Sequence, residues 1–300
     1  MAYAAKILRD SLSHDQVRLT TMEVTFPRIV LAEFNTHRVF SRNSASSRAI
    51  PVEKMLARVE DDPFIPIYWG KNQKGMQAER ELNEGEKLLA LCEWIEARDL
   101  AVENVKRLLD IGVHKQITNR LLEPFLWHTV IVTATEWDNF WALRCNKDAQ
   151  PEIKRIADMM RELYVNSKPS PAGDCDWHLP LVDDFYTLKM AGFTMAEIVK
   201  ICVGRCTRVS YLTHDGTRDP KADIELCQRL LKSGHMSPFE HAARPMTRED
   251  ASELAYKPLT GCAAIPLAAS PKTSFCGNFR GWVQARKEIT NEDNFAKVLA

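Results

Sequence analysis

The stretch Thr21-Met22-Glu23-Val24-Thr25-Phe26-Pro27 decides the fold class. Met22, Val24 and Phe26 alternate with Thr21, Glu23 and Thr25, which is the two-residue period of a half-buried strand. The apolar run Ile29 to Phe34 predicts a second strand, the two meeting near Pro27. Downstream, Leu126 to Thr135 carries Val130, Ile131 and Val132 and predicts a buried strand. Between them, from about Met76 to Asp110, Leu88, Leu91, Ile95, Val102, Val105 and Leu109 recur at helical spacing. Gly112 supplies the stop, so this segment predicts one long helix packed in the core. Asp148 to Val165 sets Ala149, Ile153, Ile156, Met160 and Leu163 on one helical face. The expected class is α/β (α+β), a mixed or antiparallel sheet flanked by long helices.

Three segments follow. Residues 1–166 form a core, and 167–180, with three prolines and Gly173, is the candidate linker. Residues 181–300 are a second segment expected to pack into the same fold. In it, Thr194 and Glu197 form a capping-box signature for a helix through Cys202. Asp219-Pro220 begins another helix that ends at Ser233-Gly234. Met246 to Phe275 has a weak pattern and predicts irregular connection, and Asn35 to Pro51, polar and without periodicity, predicts a loop or short turn.

Composition narrows the function classes. At 300 residues, 45% hydrophobic and 27% charged, the chain can bury one large or two modest cores, which excludes disorder, collagen-like sequence and coiled coil. Forty basic against forty acidic residues give a formal charge of zero, so no general field holds nucleic acid or an anionic membrane, and a bound anion needs a local site. Met1 to Lys6 lacks the layout of a secretion signal, and the apolar stretch Thr260 to Ser270 is too short to span a bilayer. A cytoplasmic protein with no nucleic-acid or membrane partner is expected. The eight cysteines have no C-x-x-C spacing and read as reduced thiols. Cys202 and Cys206 with His214 make a poor zinc set, and His235 and His241 match no common zinc pattern, so no metal is expected.

Four places could carry chemistry. Ser46-Ser47-Arg48, just after Asn43, reads either as a solvated serine-rich loop or as hydroxyls and a guanidinium placed for a phosphate monoester. His37-Arg38 reads as a surface pair or as a contact for a planar anion. Arg120, four residues before Pro124, and Arg144, in Asn139-Phe140-Trp141-Ala142-Leu143-Arg144, have apolar neighbours that would partly bury them, so each needs an anion or a salt bridge. Gly234-His235-Met236-Ser237-Pro238-Phe239-Glu240-His241 joins a helix stop to two histidines and a serine. A helix-turn-helix DNA reader over Thr194 to Tyr211 is disfavoured by the neutral charge.

Together these segments resemble the flavin-dependent (ThyX-like) thymidylate synthases, whose signature runs R-H-R-x-x-S-x-N-E-x-S-x-R-Y. His37, Arg38, Ser41, Asn43, Ser46 and Arg48 match, while Thr36 stands for Arg, Ser44 for Glu and Ala49 for Tyr. The arginine before Pro124, the N-F-x-x-L-R run at 139–144 and the A-Q-x-E-I run at 149–153 are also similar to the family. Its G-H-x-[ST]-P-F-E-H segment, preceded by an A-R-V-S-like stretch, normally lies upstream. Here Thr207-Arg208-Val209-Ser210 and Gly234 to His241 follow the signature. The chain thus resembles a circularly permuted or rearranged member, residues near 18 to 165 supplying the family's later portion and residues near 200 to 242 its earlier one, the alternative being a duplication in which Gly277 to Lys287 is a decayed second copy of the strand leading to the signature.

The resemblance implies transfer of a one-carbon unit from methylenetetrahydrofolate to C5 of dUMP, with FAD as cofactor and NADPH as reductant, in a homotetramer whose sites are shared between subunits. By position it implies that His37, Arg38, Asn43, Asn139, His235 and Ser237 hold FAD. Ser46, Ser47, Arg48 and Arg120 would hold the pyrimidine deoxynucleoside monophosphate, with Arg144 stabilising the pyrimidine as it loses its N3 proton. The guanidinium groups of 48, 120 and 144 are then expected to converge on one nucleotide. Glu33 stands where the family generally has glutamine, so dCMP as substrate or a hydroxymethyl product is the alternative, and a non-catalytic flavin- or nucleotide-binding protein is another.

Overall fold

A computed structural model describes residues 3–173, 176–211, 218–255, 270–290 and 292. β1 (Ala4–Ser13) and β2 (Arg18–Pro27) pair antiparallel, Ala4 opposite Thr25 and Leu12 opposite Arg18. The second strand expected after Pro27 is instead a 3-10 turn, Arg28–Val30, leading into α1 (Leu31–Asn35). Val30 and Phe34, both buried, are four apart and meet on one helical face, a spacing that an apolar run leaves ambiguous with a strand. β3 (Ser41–Ser44) then forms a sheet edge inside the stretch expected to be loop. Its inward residues, Ser41 and Asn43, are polar, so it carries no hydrophobic alternation.

α2 (Val52–Asp61) and α3 (Glu84–Asp110) follow. The long helix starts at 84 rather than near 76, because Asn83 and Glu86 close a reciprocal capping box there. It is also not a core helix. Val102 and Val105 are buried, whereas Leu88 is 61% and Leu89 69% exposed. α4 (Lys115–Thr118) and a 3-10 segment, Asn119–Phe125, lead into β4 (Trp127–Ala134). After it come α5 (Asp138–Arg144), α6 (Pro151–Asn166) and, within 167–180, β5 (Ser170–Ala172).

The five strands lie in the order β3-β4-β2-β1-β5, antiparallel except for β1 with β5. One face carries Met22, Val24, Phe26, Val130 and Val132 against Phe140, Ile153, Ile156 and Met160 of α5 and α6. On the other, Ile131 packs with Leu179, Ile198, Ile201 and Cys206. That cluster draws on α7 (Phe185–Met190) and α8 (Met195–Tyr211), the latter followed by α9 (Pro220–Ser233). The Thr194–Glu197 box caps α8, which runs beyond Cys202 to Tyr211. α8 and α9 approach so closely that a Cβ on Gly204 would lie 2.5 Å from the Asp223 carbonyl oxygen.

The chain ends its described course with β6 (Ala243–Pro245), α10 (Arg248–Ala255), β7 (Phe275–Cys276), β8 (Phe279–Arg280) and β9 (Trp282–Gln284), β6 pairing with β9. α10 therefore interrupts the expected irregular connection, of which 256–269 lie outside the described residues. His214 and the cysteines at 175 and 262 also lie outside them, and Cys202 donates its thiol to the Pro180 carbonyl at 3.2 Å as a packed core group. Among the described residues no helix is long and apolar enough to cross a membrane, and no cluster of metal-ligating side chains occurs.

A buried polar chain joins the sheet to the second segment. Ser11 Oγ meets His178 Nδ1 at 2.9 Å, and His178 Nε2 meets Thr21 Oγ1 at 2.7 Å. Thr21 Oγ1 lies 2.7 Å from Thr133 Oγ1, itself 2.8 Å from His241 Nδ1. Burial pushes His178 well below the ordinary histidine value and His241 down to about 3, so both are neutral. Both ring nitrogens of His178 are hydrogen-bonded, and His241 is a buried core histidine bonded through Nδ1.

Candidate functional site

The edge strand β3 and the turn after it bring Asn43, Ser46 and Arg48 to one wall of a cleft of 430 Å³. The opposite wall holds His235, Ser237 and Thr207. Gly234, in the left-handed conformation at φ 71°, ends α9 and turns the chain so that 235–237 face β3. Asn43 ties the walls together by donating its Nδ2–H to the Cys206 carbonyl at 2.9 Å. Arg48 is exposed and its guanidinium has no protein partner among the described residues, while His235 Nδ1 lies 2.8 Å from Ser233 Oγ. Ser44 and Ala49, two of the departures from the signature, also line this cleft.

A second group forms where α1 meets the end of α5. Arg144 donates Nε–H to His37 Nε2 at 2.9 Å, and its Nη2 to the Glu33 carbonyl at 3.2 Å and Thr36 Oγ1 at 3.0 Å. Nη1 is left without a protein partner among the described residues. His37 can accept only as the neutral ring. Burial, then the charges of Arg144 and Arg42, press its pKa down to about 4, against a hydrogen bond with Asn139. The ring stacks on Phe40 at 5.7 Å and meets the edge of Phe140 at 4.9 Å, which fixes its plane. Arg38 is exposed beside Arg42. Arg144 is half-buried rather than enclosed.

The third group surrounds Glu123. Its Oε1 accepts from Ser47 Oγ at 2.7 Å, Arg28 Nη2 at 3.2 Å and Arg120 Nη1 at 3.3 Å. Ser47 points inward, opposite to Ser46 and Arg48. Arg58, half-buried and held below its ordinary pKa by that burial, shares the small hollow with Arg28, and burial together with the Arg28 charge presses His128 to about 3.

Asn43, Ser46, Arg48, His235 and Ser237 are thus brought together, as are His37, Asn139 and Arg144. Within one chain, however, Arg48, Arg120 and Arg144 belong to three different groups and do not converge. Sequence reasoning missed Arg28, Arg58 and Glu123. A charged residue directly before Pro124 in an otherwise apolar run was the available signal for Glu123.

The fold is a mixed α/β sheet with helices on both faces, with the arginine motif on an edge strand and the turn behind it. Residues 15–170 match the family model Thy1, thymidylate synthase complementing protein, and the chain belongs to that family. The matched span contains the arginine signature and stops short of Gly234 to His241. Among solved structures, the chain is similar to a UMP/dUMP methylase, PolB, from Streptomyces cacaoi bound with 5-Br dUMP, at 15% identity and TM-score 0.46, covering 55% of this chain and 90% of that one. The same enzyme bound with 5-Br UMP gives 17% identity and TM-score 0.45, covering 55% and 89%. No curated protein matches.

Proposed function

We propose that this chain is a flavin-dependent methyltransferase of pyrimidine deoxynucleotides, carrying a one-carbon unit from methylenetetrahydrofolate to C5 of dUMP to give dTMP. The observation that carries this reading is the cleft itself. Two motifs far apart in the chain, Asn43-to-Arg48 and His235-to-Ser237, face one another across it, as a permuted family member requires.

The donor set fits a phosphorylated flavin. The Arg48 guanidinium, without a protein partner among the described residues, the hydroxyls of Ser44, Ser46 and Ser237 and the imidazoles of His114 and His235 line one open cleft, and no acidic side chain among the described residues lines it with them. Asn43, His235 and Ser237 would hold FAD there, with His37, Arg38 and Asn139 completing its surroundings. Bound and reduced by NADPH, FAD supplies the electrons that the methyl transfer consumes. Ser46 and Arg48 would bind the nucleotide phosphate, joined by Arg120 and by Ser47 when Glu123 releases it.

Arg144 serves the pyrimidine. Its Nε and Nη2 are held by His37, Thr36 and Glu33, so the open Nη1 is presented without reorganisation to the oxygen where negative charge develops. Because the three arginines lie apart within one chain, we assign the complete site to a homotetramer in which neighbouring protomers supply them. The exposed apolar side chains Ile117 and Leu121, which flank Arg120, suit such an interface.

A second reading, dCMP as the substrate, draws on Glu33. Its Oε2 is buried without a partner among the described residues, while its backbone carbonyl accepts from Arg144, and an exocyclic amino group is the donor such an acceptor lacks. Anaerobic incubation with FAD, NADPH, methylenetetrahydrofolate and either nucleotide, with the product read by mass, separates the two. A colourless protein that FAD cannot reconstitute would support the non-catalytic alternative.

A further inference from the structure

Three guanidinium groups gather around one carboxylate behind the turn that follows β3. Glu123 Oε1 is the meeting point of Ser47 Oγ, Arg28 Nη2 and Arg120 Nη1. The donors are braced from behind. Arg28 Nη1 donates to Nδ1 of the neutral His128 ring at 3.1 Å. Asn119 Nδ2 donates to the Ser47 and Ile50 carbonyls at 2.7 and 3.0 Å, which ties the segment carrying Arg120 to the turn carrying Ser47.

Beside Glu123 lies a hollow of 20 Å³, room for one water-sized group. Its polar lining is Arg28, Ser47, Arg58, Glu123, Trp127 and His128, and the remainder is apolar. Two of these groups hold unused donors. Arg58 is half-buried and has no hydrogen bond or ion pair among the described residues, and Trp127 Nε1 is buried without a hydrogen-bond partner there. Edge contacts with Tyr3 at 5.1 Å and Phe64 at 5.6 Å set the plane of the Trp127 ring.

Charge is out of balance here. Arg28, Arg58 and Arg120 bring three positive charges against the single negative charge of Glu123, a surplus of two among the described residues. Partly buried, such a surplus is unfavourable until an anion joins it. A phosphate monoester near neutrality carries about −1.5 to −2 and presents the oxygens that guanidinium groups bind.

We propose that Glu123 is a specificity-determining residue of the nucleotide-phosphate site, a carboxylate that stands where a phosphate oxygen sits and yields to it. The phosphate dianion takes over Ser47, Arg28 and Arg120, and Glu123 turns into the hollow, where Arg58 and Trp127 Nε1–H receive it. Arg28 is then a phosphate ligand and Arg58 a positioning residue, and neither belongs to the arginine signature. A singly charged ligand gains too little to displace the carboxylate, so the site selects monoesters over diesters and over the bare nucleoside. This role rests on the nucleotide reading above and adds to it what admits the phosphate.

The test is calorimetric titration of the full chain, at about pH 8, with dUMP, its 5′-phosphate methyl ester and deoxyuridine. The wild type should bind dUMP about tenfold or more tightly than the singly charged ester. Glu123→Gln keeps the shape and removes the competing charge, so it should tighten dUMP about fivefold or more and leave deoxyuridine unchanged. Arg58→Met deprives the displaced carboxylate of its receiver. It should weaken dUMP about tenfold in the wild-type background and far less beside Glu123→Gln, whereas a residue that merely props the turn loses equally in both. Unchanged or weaker dUMP binding in Glu123→Gln, equal losses for Arg58→Met in the two backgrounds, or equal binding of dUMP and its ester would overturn the role. Wild-type protein that binds dUMP no more tightly than deoxyuridine would remove the nucleotide-phosphate reading itself, and this role with it. Should the variants fail to fold, the comparison of dUMP with its ester on the wild-type chain decides alone.

Discussion

Arg144 Nε–H lies 2.9 Å from Nε2 of His37, a contact that joins α5 to the start of the arginine signature. The pair is like-charged if the ring is protonated and hydrogen-bonded if it is neutral, and the depressed pKa of His37, about 4, keeps it in the second state near neutrality. The orientation of the guanidinium is therefore set by a neutral acceptor, and Thr36, where the family carries arginine, adds a second one.

Arg144→Lys should lower kcat by about a hundredfold or more while changing nucleotide KM little. A point charge on a flexible stem cannot keep the His37 and Glu33 bonds while aiming at the base. Steady-state kinetics at saturating nucleotide check this, and near-normal kcat would contradict the role.

Arg48→Gln should weaken binding of the phosphorylated ligand about tenfold or more, since a charge-assisted contact is lost. Its melting temperature should stay that of the wild type, because the exposed side chain has no protein partner among the described residues. Titration with dUMP alongside thermal denaturation reads both quantities.

Stability should fall as pH drops below about 6.5. Unfolded imidazoles take up protons near that value, whereas folded His128 and His241 do so only near 3 and His178 well below its ordinary value. The unfolded chain then binds more protons, so stability is full above about 6.5 and declines towards the folded values, by about 1.4 kcal/mol per pH unit for each fully buried ring. Urea unfolding at pH 7 and pH 5 measures the slope, and His241→Gln should reduce it.

Gly204→Ala should destabilise the fold by about 1–3 kcal/mol, because the methyl meets the Asp223 backbone, which a side-chain rotation cannot move. The same helix pair carries Arg205 and Arg208 on the Asp223 carboxylate at 3.3 and 2.7 Å, so a shift also loosens a buried ion pair. Chemical denaturation gives the difference directly.

Much of this architecture was legible in the text. Asp219-Pro220 and Ser233-Gly234 bracket α9, since an N-cap aspartate and a left-handed glycine act through local backbone geometry alone. The strand through Met22, Val24 and Phe26 was equally plain. β3 was not, because Ser41 and Asn43 find their partners in Gln284, Asn278 and Cys206, bonds that only tertiary structure reveals. The exposed face of α3 was misjudged because helical spacing reports a stripe and not what covers it. At the site, the motif residues were legible as motifs. That Ser46 and Ser47 point to opposite sides, and that Glu123 holds Ser47 and Arg120, depends on side-chain direction, which no motif encodes.

The most direct measurement is anaerobic incubation of the purified protein with FAD, NADPH, methylenetetrahydrofolate and dUMP, followed by mass analysis of the nucleotide. The account predicts a yellow protein whose flavin is bleached by NADPH and a product heavier than dUMP by one methyl group, lost in the Arg144→Lys variant. Unaltered dUMP and dCMP from a protein that binds and turns over reduced flavin would contradict it.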